Sequence, residues 1–379
     1  MNDKPSLKLY IISGEASGDL HGSNLIKALK QEDAGIDFRC WGGDKMKIEG
    51  ATIVKHIREL AFMGFIEVVS NLRTIMKNIR FCKEDILNYK PDALILIDYP
   101  GFNLRIAEWA KKNGIKVFYY ISPQVWAWKQ SRVHKIKKYV DKMFVILPFE
   151  EDFYAHFDYS VEYVGHPLLD AIDAYKETAM SIDDFRKNAG VKDKPIIAVL
   201  PGSRRQEVSM KLPIMLDALS SFSDYEIIVA GAPSLETSFY SAIVPKGIRI
   251  VYGRTYDLLA ASEAAVVTSG TATLETALLG IPEVVCYKGS RVSYQIAKRL
   301  VKIRYISLVN LIMDREVVKE LIQHDCNAGS IKKELNTILE GGVYRERMLK
   351  DFEELRTKLG SGGASRKVAQ SLLKTIQST

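Results

Sequence analysis

Cysteine is scarce in this 379-residue chain, and what there is carries no pattern. The four residues, Cys40, Cys82, Cys286 and Cys326, contain no C-x-x-C pair, so neither a zinc cluster nor a dithiol redox motif is written here. Such usage suits a reducing compartment. Histidine is equally thin at six residues, and none falls in an H-E-x-x-H pattern. No run approaches the ~18 consecutive apolar residues of a membrane span. The first eight residues are polar and lack the apolar region of a secretory signal. A cytoplasmic protein is expected, with attachment to a membrane surface left open. There is no P-loop sequence and no G-x-S-x-G elbow, which excludes P-loop and serine-hydrolase chemistry. G-x-G-x-x-G is absent too, which argues against a nicotinamide enzyme. No D-x-D marks a metal-dependent sugar transferase.

What is present is a well-filled soluble protein, 47% hydrophobic and 26% charged. At about 100–200 residues per domain, two domains are expected. The net charge of +7 suits an anionic partner, whether nucleotide, phosphorylated lipid, membrane surface or nucleic acid, without choosing among them.

Short apolar runs alternate with helical stretches in two series. The first has strands at residues 7–12, 38–41, 93–97, 116–121, 142–147 and 161–164. Gly165, His166 and Pro167 look like a boundary. The second has strands at 196–200, 226–230, 248–251, 264–267 and 283–287, and from about 331 onward the pattern is helical. Two doubly wound α/β domains follow from this alternation, with ligands expected outside the carboxyl ends of their strands, in a cleft between the two.

Four loops after buried strands are rich in ligand-type residues: 13–19, 98–103, 202–207 and 268–275. Thr268, Ser269, Gly270 and Thr271 form a hydroxyl-and-glycine turn before a helix, a ready anion site, with Glu275 one turn in to accept from a ribose. An ordinary capped helix is the alternative. Arg204, after Gly202 and Ser203, can fork onto a phosphate; its alternative is an ion pair with Glu207. Arg205 reads as solvated. Asp98, at a strand end, is the candidate general base, against a helix cap or an orienting carboxylate. Glu15, Asp19 and His21 compete for that role. The apolar stretch 60–69, continued by Leu72, Ile75, Met76 and Ile79, reads either as a core helix or as a surface for acyl chains or a membrane. The basic run from Lys129 to Lys138 is a solvated helix face or a contact for lipid phosphates. Trp126 and Trp128 could stack on sugars or pack.

Taken together, nine motifs in order resemble the lipid-A-disaccharide synthase family. They are SGEASGD from Ser13, MGFIEV from Met63, IDYPGFN from Ile97, SPQVWAW from Ser122, LPFE from Leu147, GHP from Gly165, LPGSR from Leu200, SGTATLE from Ser269 and SLVN from Ser307. The resemblance covers about residues 7–325. It implies a GT-B fold and a metal-independent inverting glycosyltransferase with no cofactor. The donor would be UDP-2,3-diacylglucosamine and the acceptor 2,3-diacylglucosamine 1-phosphate, joined as a β-1,6 disaccharide phosphate in lipid A synthesis of Gram-negative bacteria. The enzyme would sit on the anionic cytoplasmic face of the inner membrane and would not bind nucleic acid. Residues 1–165, with a returning helix at about 350–379, would form the acceptor domain, and 166–349 the donor domain.

By position, the resemblance makes Asp98 the base on the acceptor 6-hydroxyl and Arg204 the diphosphate arginine. It places Glu275 on the ribose and Asn310 on the UDP side. Gly14, Glu15, Ala16, Ser17, Gly18, Asp19, Met63, Ser122, Gln124, Gly202, Ser203, Ser269, Gly270, Thr271 and Thr273 join the substrate-binding set. Phe62, Phe65, Ile66, Val68, Val69 and Leu72 would meet acyl chains or membrane. Two positions depart from the family pattern: Gly101 stands where an Asp is frequent, and Val309 where a Pro is usual, which predicts a less rigid loop at Asn310. A UDP-sugar 2-epimerase shares the architecture and needs no apolar segment. A non-catalytic sugar-nucleotide sensor would bind UDP without turnover.

Overall fold

The computed structural model describes residues 6–60, 72–191, 194–290, 294–295, 298–299, 303–339 and 341–378. The chain divides into two units, Met1–Pro167 with Gly362–Thr379, and Leu168–Ser361. The return to the first unit thus begins later than the expected residue 350. The helix Val343–Leu359 stays with the second unit, where Phe352, Leu355 and Leu359 are buried. Its Asp351 and Glu354 hold Arg315 at 2.8 and 2.6 Å.

The first unit is built on a parallel sheet of β1 (Lys8–Ile12), β2 (Asp37–Gly42), β3 (Thr52–His56), β4 (Ala93–Ile97), β5 (Lys116–Tyr120), β6 (Lys142–Val145) and β7 (Glu162–Tyr163). The order is β3-β2-β1-β4-β5-β6-β7. Side chains alternate between the two faces: Tyr10 and Ile12 of β1 join one core, Leu9 and Ile11 the other. Both faces are covered, so strands such as β4 are buried at every position and read as continuous apolar runs. The helix Ala364–Gln377 helps to cover the second face. Its Ala364, Val368, Ala369 and Leu372 recur at helical spacing and pack in the same core as Leu25 and Leu29 of the helix Ala16–Glu32. At its rim Lys142 reaches Glu162 at 2.7 Å and Ser371 at 2.6 Å.

The second unit repeats the plan with β8 (Ile196–Leu200), β9 (Glu226–Gly231), β10 (Arg249–Tyr252), β11 (Ala264–Thr268), β12 (Glu283–Tyr287) and β13 (Lys319–Ile322), in the order β10-β9-β8-β11-β12-β13. The edge strands β3 and β13 escaped the sequence reading, because neither is a continuous apolar run.

In each sheet the strand order reverses once, between β1 and β4 and between β8 and β11. At such a switch point the loops leave in opposite directions and open a crevice outside the strand ends. The four ligand-type loops anticipated above are the ones that leave these four strands.

Candidate active site

In the second unit the crevice is a cavity of about 400 Å³. Gly202, Ser203 and Arg204 line one side; Ser269, Gly270, Thr271 and Glu275 line the other. Two helices begin here, Arg205–Leu219 and Thr271–Leu278, and neither start has a side-chain cap. Their first N–H groups are therefore open to an anion, and both helix dipoles favour one. The buried Thr268 hydroxyl lines the same cavity without a protein partner. Gly202 sits at φ +107°, and a Cβ there would stand 2.8 Å from a Glu207 carboxylate oxygen. The backbone conformation is what calls for glycine here, since the Glu207 carboxylate ends a flexible side chain and can move.

Arg204 lines the cavity and is ion-paired with Glu207 at 3.1 Å. The ion pair anticipated as the alternative is formed, at the edge of a cavity where the guanidinium could meet an anion. The pair is solvent-exposed and weak, so a diphosphate could take the guanidinium over at small cost. The Glu275 carboxylate accepts from the Tyr256 hydroxyl at 2.8 Å, and burial raises its pKa. Tyr256 had no sequence signal. Nor did the small wall of Ala230, Gly231, Ala232 and Pro233 that closes the cavity after β9.

Three expected binding residues of this unit are occupied otherwise. The Thr273 hydroxyl is buried and donates to the Gly270 carbonyl at 2.8 Å, shaping its own turn. The Ser269 hydroxyl donates to the Ile306 carbonyl at 3.1 Å. Asn310 is fully buried. Its amide donates to Val318 O at 2.8 Å and Glu320 at 2.9 Å, and accepts from Val317 N at 2.8 Å and Val318 N at 3.0 Å. All four of its hydrogen-bonding positions are filled, so it braces the fold. Val309 is buried in the short helix Leu308–Met313. Glu320 accepts from the backbone of Ile306 and Ser307 and from the Ser307 hydroxyl at 2.7 Å.

In the first unit Asp98 and Tyr99 follow β4 with φ +43° and +51°, two consecutive left-handed residues that are not glycine. Such backbone is costly and persists only where its surroundings enforce it. Asn103 enforces it, donating to the carbonyls of Ile97 at 3.2 Å and Asp98 at 2.7 Å. Burial pushes the Asp98 carboxyl up to about 7, and the Glu15 charge adds to the shift. Two of the rivals to Asp98 are set apart by their surroundings. Asp19 is buried and accepts from Gly43 N at 2.7 Å, Lys45 N at 3.1 Å and Met46 N at 3.2 Å, holding the start of the helix Asp44–Ile48. His21 lies edge-on to Tyr120, and burial lowers its pKa to about 4. Glu15 stands at the start of the helix Ala16–Glu32, with Ala16 and Ser17 exposed after it. Gly14 lies under the Tyr99 ring, and Gly18 packs on Ser13.

Ser122 is buried, 2.8 Å from the Tyr154 hydroxyl, whereas Gln124 is exposed. The two tryptophans part company. Trp126 is buried edge-on to Phe149, and Trp128 is exposed beneath Lys129 and Arg132. Met63, Phe62, Phe65, Ile66, Val68 and Val69 lie outside the described residues. Leu72 opens the helix Leu72–Tyr89, which exposes Met76, Phe81 and Leu87. Among the described residues no helix is long and apolar enough to cross a membrane.

The fold has close counterparts of low identity. The UDP-GlcNAc 2-epimerase of Neisseria meningitidis, solved bound to UDP-GlcNAc, matches 97% of this chain and all of its own at 13% identity, with a TM-score of 0.67. A calicheamicin glycosyltransferase matches 98% of this chain and 99% of its own at 14% identity, with a TM-score of 0.61. These likenesses establish the two-unit GT-B fold. Sequence relatives are far closer. A lipid-A-disaccharide synthase of Syntrophus aciditrophicus is 42% identical over 100% of this chain and 99% of its own. That of Geobacter metallireducens is 37% identical over 99% of each. The family model for lipid-A-disaccharide synthetase matches residues 9–374. The chain belongs to the lipid-A-disaccharide synthase family, and is a glycosyltransferase of lipid A biosynthesis.

Proposed function

We propose that the enzyme transfers the 2,3-diacylglucosaminyl group of UDP-2,3-diacylglucosamine to the 6-hydroxyl of 2,3-diacylglucosamine 1-phosphate, with inversion, releasing UDP. The observation that carries the reading is the Asp98 carboxyl at the switch point of the first sheet, poised at about 7. A general base works best when its pKa lies near the working pH, because it is then both ionised and able to hold a proton. As the 6-hydroxyl attacks the anomeric carbon, Asp98 takes its proton. The bond to the diphosphate breaks on the opposite face, and charge develops on UDP.

The second unit supports the leaving group. The open N-termini of Arg205–Leu219 and Thr271–Leu278, with Arg204, would meet the diphosphate. Preorganised donors of this kind are worth about 2.7–4 kcal/mol each on developing charge. Glu275, steadied by Tyr256, would accept from the ribose, and the small wall at Ala230–Pro233 would take the base. Contact with an anionic membrane face is supported by Met76 and Leu87, which border a groove beside Lys77, Arg80 and Lys83.

UDP release tests the reading. It is expected only when both the UDP-linked donor and the acylated sugar phosphate are present. Turnover of the donor alone would instead favour an epimerase or hydrolase, and UDP binding with no turnover a sensor.

A further inference from the structure

A second cavity, of about 380 Å³, lies in the first unit directly beyond the Asp98–Tyr99 bend. Tyr99, Phe102 and Leu104 give it an apolar floor, and Ile75 of the helix Leu72–Tyr89 forms one wall. Its rim is cationic: Arg105 from the helix Pro100–Lys112, and Arg132 and Lys135 from the helix Arg132–Tyr139. Arg132 and Lys135 are three positions apart and so share a helix face. No carboxylate among the described residues lines this cavity.

The cations differ in how far their charge is already met. Lys135 has Glu108 at 3.7 Å, and Glu108 is also held by Lys112 at 2.9 Å. Arg132 lies 5.2 Å from the Trp128 ring, a contact that orients its guanidinium without neutralising it. Neither Arg105 nor Arg132 has a carboxylate partner among the described residues. Two guanidinium groups lining one cavity with an apolar floor suit an anion that carries hydrocarbon with it. Planar, forked donors suit a phosphate monoester in particular.

Resting on the function proposed above, we infer that this cavity holds the 1-phosphate of the acylated acceptor, with Arg105 and Arg132 as its principal contacts. Position supports the inference. Arg105 stands about 7.5 Å along the helix axis from Pro100, at 1.5 Å per residue, and Pro100 follows the Asp98–Tyr99 bend. The phosphate is carried on C1 and the reacting hydroxyl on the arm of C5, the two carbons that flank the ring oxygen, so a base at the bend and an anion site one turn further on would meet two groups on the same edge of the sugar. The apolar floor would lie along the first part of an acyl chain. Arg105 and Arg132 are then residues that set acceptor specificity, acting on binding rather than on the chemical step.

The test uses the full chain and measures initial rates against two acceptors, 2,3-diacylglucosamine 1-phosphate and its counterpart with a free 1-hydroxyl. For Arg105→Ala and Arg132→Ala, the acceptor KM should rise about tenfold or more with the phosphorylated compound. Donor KM should stay unchanged, and the preference over the unphosphorylated acceptor should collapse. Arg105→Gln, which keeps the stem, should behave like Arg105→Ala, while Arg105→Lys should recover part of the loss. An unchanged acceptor KM in both alanine variants would overturn the assignment while leaving the enzyme's function standing. If the wild-type chain releases UDP with neither acceptor, the function itself fails and takes this site with it. A parallel sedimentation with phosphatidylglycerol vesicles separates the other phosphate source. Loss of vesicle binding in the variants at unchanged acceptor KM would assign the arginines to the membrane surface and reject the acceptor site.

Discussion

The Tyr99 ring covers Gly14 so closely that a Cβ on Gly14 would stand 2.3 Å from the ring. This contact locks the loop leaving β1 to the loop leaving β4 at the switch point of the first sheet. The glycine is demanded by the approach of the ring, since its own φ is ordinary. Gly14→Ala should push Tyr99 aside and cost about 1–3 kcal/mol, the range for overpacking. Adding Tyr99→Ala should recover most of that cost. A urea-melt double-mutant cycle measures the coupling. Equal destabilisation whether or not Tyr99 is present would show that the ring contact is not responsible.

Asp98, the proposed base, and Arg204, at the proposed leaving-group site, belong to different units, so their loss should separate kinetically. Asp98→Asn should keep UDP affinity nearly intact and lower kcat by about 10²–10⁴-fold, the usual worth of a general base. Arg204→Ala should weaken UDP binding, read by calorimetry. Near-normal turnover in the first variant would remove Asp98 from the chemistry, and unchanged affinity in the second would place the diphosphate elsewhere.

The raised Asp98 pKa has two readouts with opposite benefit. The base must be ionised, so kcat/KM should climb with pH and level off above about 7. Glu15→Gln should move that limb to lower pH, and only in part, because burial is the larger cause of the shift. For stability, a carboxyl whose folded pKa exceeds its unfolded one makes the folded state bind more protons. Stability then falls as pH rises from about 4 to about 7. Asp98→Asn should therefore melt higher than wild type at pH 8, with the gap closing toward pH 4. A constant offset in melting temperature across that range would refute the assigned shift.

Asn310 offers a test of scaffold against ligand contact. Asn310→Ala would strand Val317 N, Val318 N and Val318 O in the core, at about 1–3 kcal/mol for each unmet group. A large drop in melting temperature is expected, with UDP affinity of the folded fraction little changed. The reverse pattern, normal stability with lost affinity, would return Asn310 to the UDP side.

Much of the architecture could be read from the chain before any coordinates. β1, β4, β8 and β11 are buried on both faces, so they appear as uninterrupted apolar runs, and the hydroxyl- and glycine-rich segments after them mark the ligand loops. Edge strands β3 and β13 were missed because a half-exposed strand need not be apolar throughout. Within the loops, residue type predicted chemistry but not partner. Asp19 and Asp98 look alike in sequence, yet one is consumed by three backbone N–H groups and the other is left in a half-buried bend. Tyr256 beside Glu275, and the Arg105 and Arg132 pair, lie far apart in sequence and carry no local signal.

The sequence by itself determined the two successive strand–helix series, the loops that carry polar chemistry and the family. Each of these depends on local pattern: periodicity, turn residues and short motifs. Only the tertiary structure decided which polar side chains stay available. A side chain's hydrogen-bonding capacity is filled by whatever the fold brings against it. Asn310 and Asp19 were taken up by backbone groups from other segments. Asp98 was pushed toward neutrality by burial and by Glu15, and Arg105 was brought to the same cavity as Arg132. That allocation is a property of distances across the fold, which no stretch of sequence contains.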